Sequence, residues 1–364
     1  MRRPAAAVWA IVLAALAAAG IGLGLARPAL AAGPTQPTDE QVRFAANVEM
    51  VKGHLLASQA LYARGEREAA AVHAAHPVEE LLSLLEGPLG RASAERAATL
   101  KRLLDRPSQQ IKAGVPAAQL RATVREISAA LDDAVSRVVP APVRDTLAFR
   151  AGVIVELLEG VKGEYGEAVK EGQVVETVEY QDAYGFFQRA RALYRPVAAR
   201  VRAQDPGAAT AIEGALATLG AAFAGVTPPA RPTAAAAVAA GTDRIAAELG
   251  RFAGLALAAG KGPVEELGQV RSGIEQAVGA YKAGERQKAE ELVTAAYLDH
   301  FEKVEAPLAE RDQALMTELE RAIRIELRNR IKAKAPAAEV EQLARTILTR
   351  LDQAERLLQG RSGR

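Results

Sequence analysis

The sequence contains no cysteine, which excludes disulfides and thiolate metal sites and leaves histidine, carboxylate and tyrosine as the side chains able to hold a metal ion. Aromatic residues make up only 4% of the chain, so any core must be built from small and aliphatic side chains. The one tryptophan, Trp9, lies near the start. Charge of neither sign dominates, with 46 basic and 44 acidic residues, and no basic stripe points to nucleic acid or anionic lipid as a partner. Enzyme signatures are missing too. There is no G-x-S-x-G elbow, P-loop, dinucleotide glycine motif or H-E-x-x-H pair, and no E-x-x-H pair of the kind a di-iron centre uses.

What is present is alanine and aliphatic side chains at helical spacing. The 364 residues are 49% hydrophobic and 25% charged, a composition that favours helices packed closely on helices. No alternating strand pattern of useful length occurs. The fold class expected is all-α.

The opening stretch "MRRPAAAVWAIVLAALAAAGIGLGLARPALA" places Arg2 and Arg3 before an apolar run from about Ala5 to Leu25 and ends in Ala29-Leu30-Ala31. A basic segment, an apolar segment and an A-x-A site make residues 1–31 a secretory signal peptide. The run is also long enough to stay as an uncleaved membrane anchor. Either way the remainder is expected to be exported, to the periplasmic or extracellular face of the cytoplasmic membrane, touching the membrane only through that segment if it is retained. Cleavage after Ala31 removes three arginines and no acid, leaving 43 basic against 44 acidic residues.

Internal repetition is the strongest signal in the rest of the chain. "YARGEREAA" from Tyr62 returns as "YKAGERQKA" from Tyr281, "EGPL" at Glu86 as "EAPL" at Glu305, and "IKAGVPAAQL" from Ile111 as "IKAKAPAAEV" from Ile331. Two copies span residues 42–138 and 264–360. A more divergent third copy, 149–226, lies between them, with Gly172 where the others have Gly65 and Gly284. Each copy reads as a helix, a glycine-centred turn, a returning helix, and a further helix after Pro116, Pro206 or Pro336. "VVPAPVRD" and "TPPARPT" read as linkers. The architecture expected is three related antiparallel helical-hairpin units in tandem.

The middle copy carries a family resemblance. "EYGEAVKEGQVVETVEYQDAYGF", residues 164–186, resembles the pattern D-Y-x-x-A-V-x-x-G-x-V-x-x-x-x-E-Y-x-E-M-x-x-F of the extracytoplasmic amino-terminal region in long bacterial members of the high-affinity iron permease family. Tyr165, Ala168, Val169, Gly172, Val174, Glu179, Tyr180 and Phe186 match, Glu164 and Asp182 are acidic swaps, and Ala183 departs from the pattern's methionine. The third copy is similar to the segment that precedes the membrane permease in those proteins. The Arg-Glu-x-x-Glu motif of the permease part does not occur. The resemblance therefore implies an accessory part of bacterial iron uptake beside a separately encoded iron permease-type membrane protein.

Candidate metal ligands fall in all three copies. On a helix, His76 sits about −60° and Glu80 about −20° from His73, so the three project from one face. If the hairpin turns symmetrically at Arg64 and Gly65, His54 faces the gap between the two histidines and Glu49 lies level with Glu80. Histidine nitrogen with carboxylate oxygen suits zinc, iron, copper or manganese. The competing reading is that His-x-x-His lies on a wet helix face, with Pro77 pushing His76 off helical dihedrals or making it a cap. In the middle copy Glu179 and Asp182 share a face, with Glu164 level with Glu179 across Gly172. In the third, Glu302 and Glu305 form an E-x-x-E pair with His300 nearby. Such oxygen-rich sets suit iron or a hard divalent cation, or are solvated acids. Two functions follow: an accessory protein that binds or relays iron or another divalent transition metal, or a metal-free helical module that docks a permease or other envelope protein.

Overall fold

Thr38 starts the first helix: its hydroxyl accepts the Gln41 N–H while the Gln41 side chain accepts the Thr38 N–H, a reciprocal cap that satisfies two otherwise open donors. The structure is a computed structural model and describes residues 36–254 and 262–360; the predicted signal segment lies outside them. Helix α1 (Asp39–Ala63) runs to Gly65, whose φ of 85° ends it. There Glu66 N–H bonds the Leu61 carbonyl and Gly65 N–H the Tyr62 carbonyl, the left-handed stop glycine provides. Helix α2 (Arg67–His76) returns, widens into a π-helical turn at Pro77–Leu81, and continues as α3 (Leu82–Ala92). His76 keeps helical dihedrals, φ −48° and ψ −42°, and caps nothing. The widened turn makes room for the Pro77 ring, so the displacement of His76 in the competing reading does not occur. Helices α4 (Ala94–Leu104), α5 (Arg106–Ala113) and α6 (Ala117–Val138) complete the first unit.

After α7 (Ala141–Arg144), the middle unit is a hairpin of α8 (Leu147–Ala168) and α9 (Thr177–Tyr194), followed by α10 (Ala198–Gln204), α11 (Pro206–Ala222) and α12 (Ala235–Ala253). Its turn is closed by a two-residue antiparallel ladder, β1 (Val169–Lys170) on β2 (Gln173–Val174), which the sequence pattern did not announce. The unit also runs past the expected end at residue 226. Val238, Ile245 and Leu249 of α12 enter the same core as Tyr165, Tyr180, Phe187 and Phe223, so "TPPARPT" is a loop inside this bundle.

The third unit repeats the first. Helix α13 (Pro263–Lys282) stops at Gly284 with the same pair of bonds, from Glu285 to Ala280 and from Gly284 to Tyr281. Helix α14 (Arg286–Ala295) passes through a π-helical turn at Ala296–Phe301 into α15 (Glu302–Glu320), and a second such turn, Arg321–Leu327, leads to α16 (Arg328–Lys332) and α17 (Ala337–Leu358). Tyr62 donates to the Val115 carbonyl at 2.6 Å, and its counterpart Tyr281 donates to the Ala335 carbonyl at 2.6 Å. The repeated sequence thus encodes a repeated fold, down to the place where the helix widens.

Each unit has its own apolar core, and each fully buried leucine or phenylalanine contributes roughly 1.5–3 kcal/mol. What positions the candidate site is the crossing of α1 and α9. A Cβ on Gly185 would stand 2.4 Å from the Gly53 carbonyl oxygen, so two glycines let these backbones touch. Among the described residues no helix is long and apolar enough to cross a membrane.

Candidate metal centre

The Gly53–Gly185 contact sets the next residue on one helix, His54, against Asp182 on the other. His54 Nδ1 lies 2.5 Å from Asp182 Oδ1, His73 Nδ1 lies 2.8 Å from the same oxygen, and His76 Nδ1 lies 3.1 Å from Oδ2. His54 and His76 approach each other at 3.4 Å between their Nδ1 atoms. All four residues are buried, His73 completely. One donor atom from each lies within 4.8 Å of all the others. The Phe186 ring and the His54 imidazole pack nearly perpendicular, with centroids 4.9 Å apart.

This donor set fits a small transition ion. Ligand distances of about 2.0–2.1 Å in a tetrahedral site place donor atoms roughly 3.3–3.4 Å apart. The His54–His76 separation already has that value, and Asp182 needs to retreat by only some tenths of an ångström. Gln181 supplies the support such a ligand requires: its Oε1 lies 2.7 Å from His73 Nε2, so Nε2–H donates to it, and an ion that displaces the proton between Nδ1 and Asp182 meets the Nδ1 lone pair.

Charge is balanced within the group. Burial alone would lower His76, but its hydrogen bond to Asp182 and the charges of Glu80, Asp182 and Glu179 overcome this and raise it to about 9. Burial alone would raise Asp182, yet His54 and His73 beside it hold its carboxyl well below the usual range. Protons therefore occupy the space an ion would take, and an ion entering must displace them.

The remaining sequence candidates separate. Glu49 is not part of the centre: Lys52 bonds it at 2.8 Å and Arg189 at 2.6 Å, because its face of α1 looks toward those cations. Glu80 stands at the rim, 3.9 Å from both His54 Nε2 and His76 Nδ1, and is bonded by Arg324 of the third unit. Asp182 leaves the oxygen-only set proposed for it with Glu164 and Glu179, since its carboxylate is taken by the three imidazoles. Glu164 and Glu302 line a cavity of about 50 Å³ together with His54 and Glu80, whereas Glu305 is buried deeper. His300 bonds Glu266 at 2.7 Å and takes no part. Gln181, Glu167 and Arg324 are additions that sequence reasoning missed. The sequence offered one signal, the E-x-x-E spacing of Glu164 and Glu167, which matches that of Glu302 and Glu305.

No curated protein and no solved structure matches the chain. A family model does match, at residues 140–256. Those residues are the middle unit with α7, so Asp182 and Gln181 come from the matched segment and the three histidines from the unit before it. Residues 140–256 match the model of the iron permease-associated 4-helix bundle domain, and the resemblance of this chain to an iron permease accessory region rests on them.

Proposed function

We propose that this protein is an exported accessory component of iron uptake that takes up iron, or another divalent transition metal, at His54, His73, His76 and Asp182 and passes it to an iron permease-type membrane protein. The observation that carries this reading is the convergence of three buried Nδ1 atoms on one buried carboxylate, with Gln181 fixing the tautomer of His73. The corresponding positions in the third unit are Gly273, Leu292 and Ala295, so the fold does not need imidazoles there. An iron permease-associated bundle supplying the carboxylate supports iron as the cargo. The cavity beside His54 also touches exposed Arg43 and Lys303, which gives an ion a way in.

A second reading, a metal-free docking module, is favoured by one observation: the three imidazoles and Asp182 also satisfy one another without an ion. Metal titration of the purified chain beside a His73→Ala, His76→Ala variant decides between them. Equimolar binding of iron or cobalt(II) by the parent, lost in the variant, is the expected result. Absence of binding by the parent, with both chains folded, supports the docking module instead.

A further inference from the structure

Carboxylates that the histidine centre does not use lie in pairs on the neighbouring helices. Glu164 and Glu167 lie on α8, Glu179 on α9, and Glu302 and Glu305 on α15, which packs on α8. Glu305 is 1% exposed, and neither of its oxygens has a hydrogen-bond partner. What its carboxyl faces is another carboxyl, that of Glu167, and Glu164 and Glu179 face each other in the same way. Arg324, the guanidinium that faces Glu179 and Glu302, is already bonded to Glu80 and Glu320. Negative charge thus exceeds positive charge in a space where an unpaired carboxylate is costly. Either protons or a cation must make up the difference.

The cavity shows where a cation would come from. Its wall carries Glu156, Glu159 and Asp299 as well as Glu164, Glu302, Glu80 and His54. A volume of about 50 Å³ admits water and hence a partly hydrated ion. We infer that Glu164, Glu167, Glu179, Glu302 and Glu305 form a second cation site, made of oxygen donors alone, beside the histidine centre and along the route into it. Oxygen donors without imidazole select hard di- and trivalent cations. Occupation of this site does not depend on the histidines.

Terbium(III), a hard cation, is the probe, and Tyr297, buried beside Glu305, is the sensitiser. The full chain should show saturable terbium emission excited through tyrosine. Affinity should fall by more than about a hundredfold in Glu302→Gln, Glu305→Gln, beyond the roughly 10–100-fold that loss of an outer partner brings, and stay within about twofold in His73→Ala, His76→Ala, since separate sites add independently. Cobalt(II) absorption, read in parallel, should show the reverse pattern, so failure of the histidine centre and failure of this site are told apart. Circular dichroism checks folding. If the double glutamine variant unfolds, Glu167→Gln is read by the same criterion. Absence of sensitised emission, emission unchanged by the glutamines, or emission lost equally with the histidines overturns the inference.

Discussion

Asp182 and His73 are 109 residues apart, yet Oδ1 of one lies 2.8 Å from Nδ1 of the other in a region without solvent access. The bond joins the first helical unit to the middle one. Replacing Asp182 by Asn keeps the shape and removes the charge. The amide can accept at one atom only, so at least one imidazole donor loses its partner. Stability should fall by roughly 1–3 kcal/mol, the cost of a buried unsatisfied group, and affinity for cobalt(II) should fall with it. Urea midpoints and a metal titration check both. An unchanged midpoint would mean the imidazoles do not rely on this carboxylate.

A second prediction concerns the helix crossing that makes the bond possible. Gly185→Ala puts a methyl group where the Gly53 carbonyl oxygen stands. The obstacle is backbone, so α1 and α9 must separate. Overpacking of this kind costs about 1–3 kcal/mol, and the separation pulls His54 from Asp182. Metal affinity should therefore drop although no ligand is changed. Gly163→Ala on α8, where an added Cβ meets nothing within 4 Å, is the control: it should leave metal affinity as it was and raise stability by about 0.5–1 kcal/mol, as alanine does for glycine inside a helix.

The helices and the repeat were legible because they are local. Glycine at the turns, proline before the third helix, and near-identical strings around Tyr62 and Tyr281 need no knowledge of long-range contacts. The approach of His54 to His73 and His76 was legible for the same reason, since one hairpin turn relates them. Its reach ends at the hairpin. Level with Glu80 did not mean facing it, and Glu49 turned instead to Lys52 and Arg189. The pairing of α1 with α9 depends on two glycines that no periodicity marks, so Asp182 was grouped with Glu179, its neighbour in sequence. The meeting of α8 with α15, which gathers Glu167 and Glu305, left no trace in either segment. The hydrophobic pattern also stopped the middle unit short, because α12 follows a proline-rich loop that reads as a boundary.

The buried acids predict an unusual pH dependence. Burial, with help from Glu302 and Glu320 and against the neighbouring Glu167 and Tyr297, raises Glu305 from 4.5 to about 7. Between those values the folded chain holds a proton that the unfolded chain has released. This contribution to stability is complete below pH 4.5 and is lost as pH rises through about 7. His76, raised from 6.5 to about 9, loses its contribution over that higher range in the same direction. Asp182, lowered, is already ionised in both states there. The ion-free chain should therefore be more stable near pH 5 than near pH 8, by roughly 3 kcal/mol for Glu305 alone. A bound cation favours ionised carboxylates, so saturating terbium(III) should flatten or reverse the trend. Thermal melts at the two pH values, with and without the ion, test it. An ion-free chain more stable at the higher pH would contradict the assignment.

Gln181 gives the sharpest separation of support from ligation. Its carbonyl oxygen accepts from His73 Nε2 at 2.7 Å and so keeps a proton on that nitrogen when an ion takes Nδ1. In Gln181→Leu that constraint goes, and the ring is free to carry its proton on Nδ1, the atom aimed at the centre. All four ligands remain, so cobalt(II) should still bind with the same form of visible spectrum. Its affinity should be lower by about 10–100-fold, as for other outer partners of metal-bound histidine. Gln181→Glu retains an acceptor and adds charge, which makes the imidazole a stronger donor and should restore or exceed the parent affinity. A leucine variant that binds as tightly as the parent would show that His73 does not ligate through Nδ1.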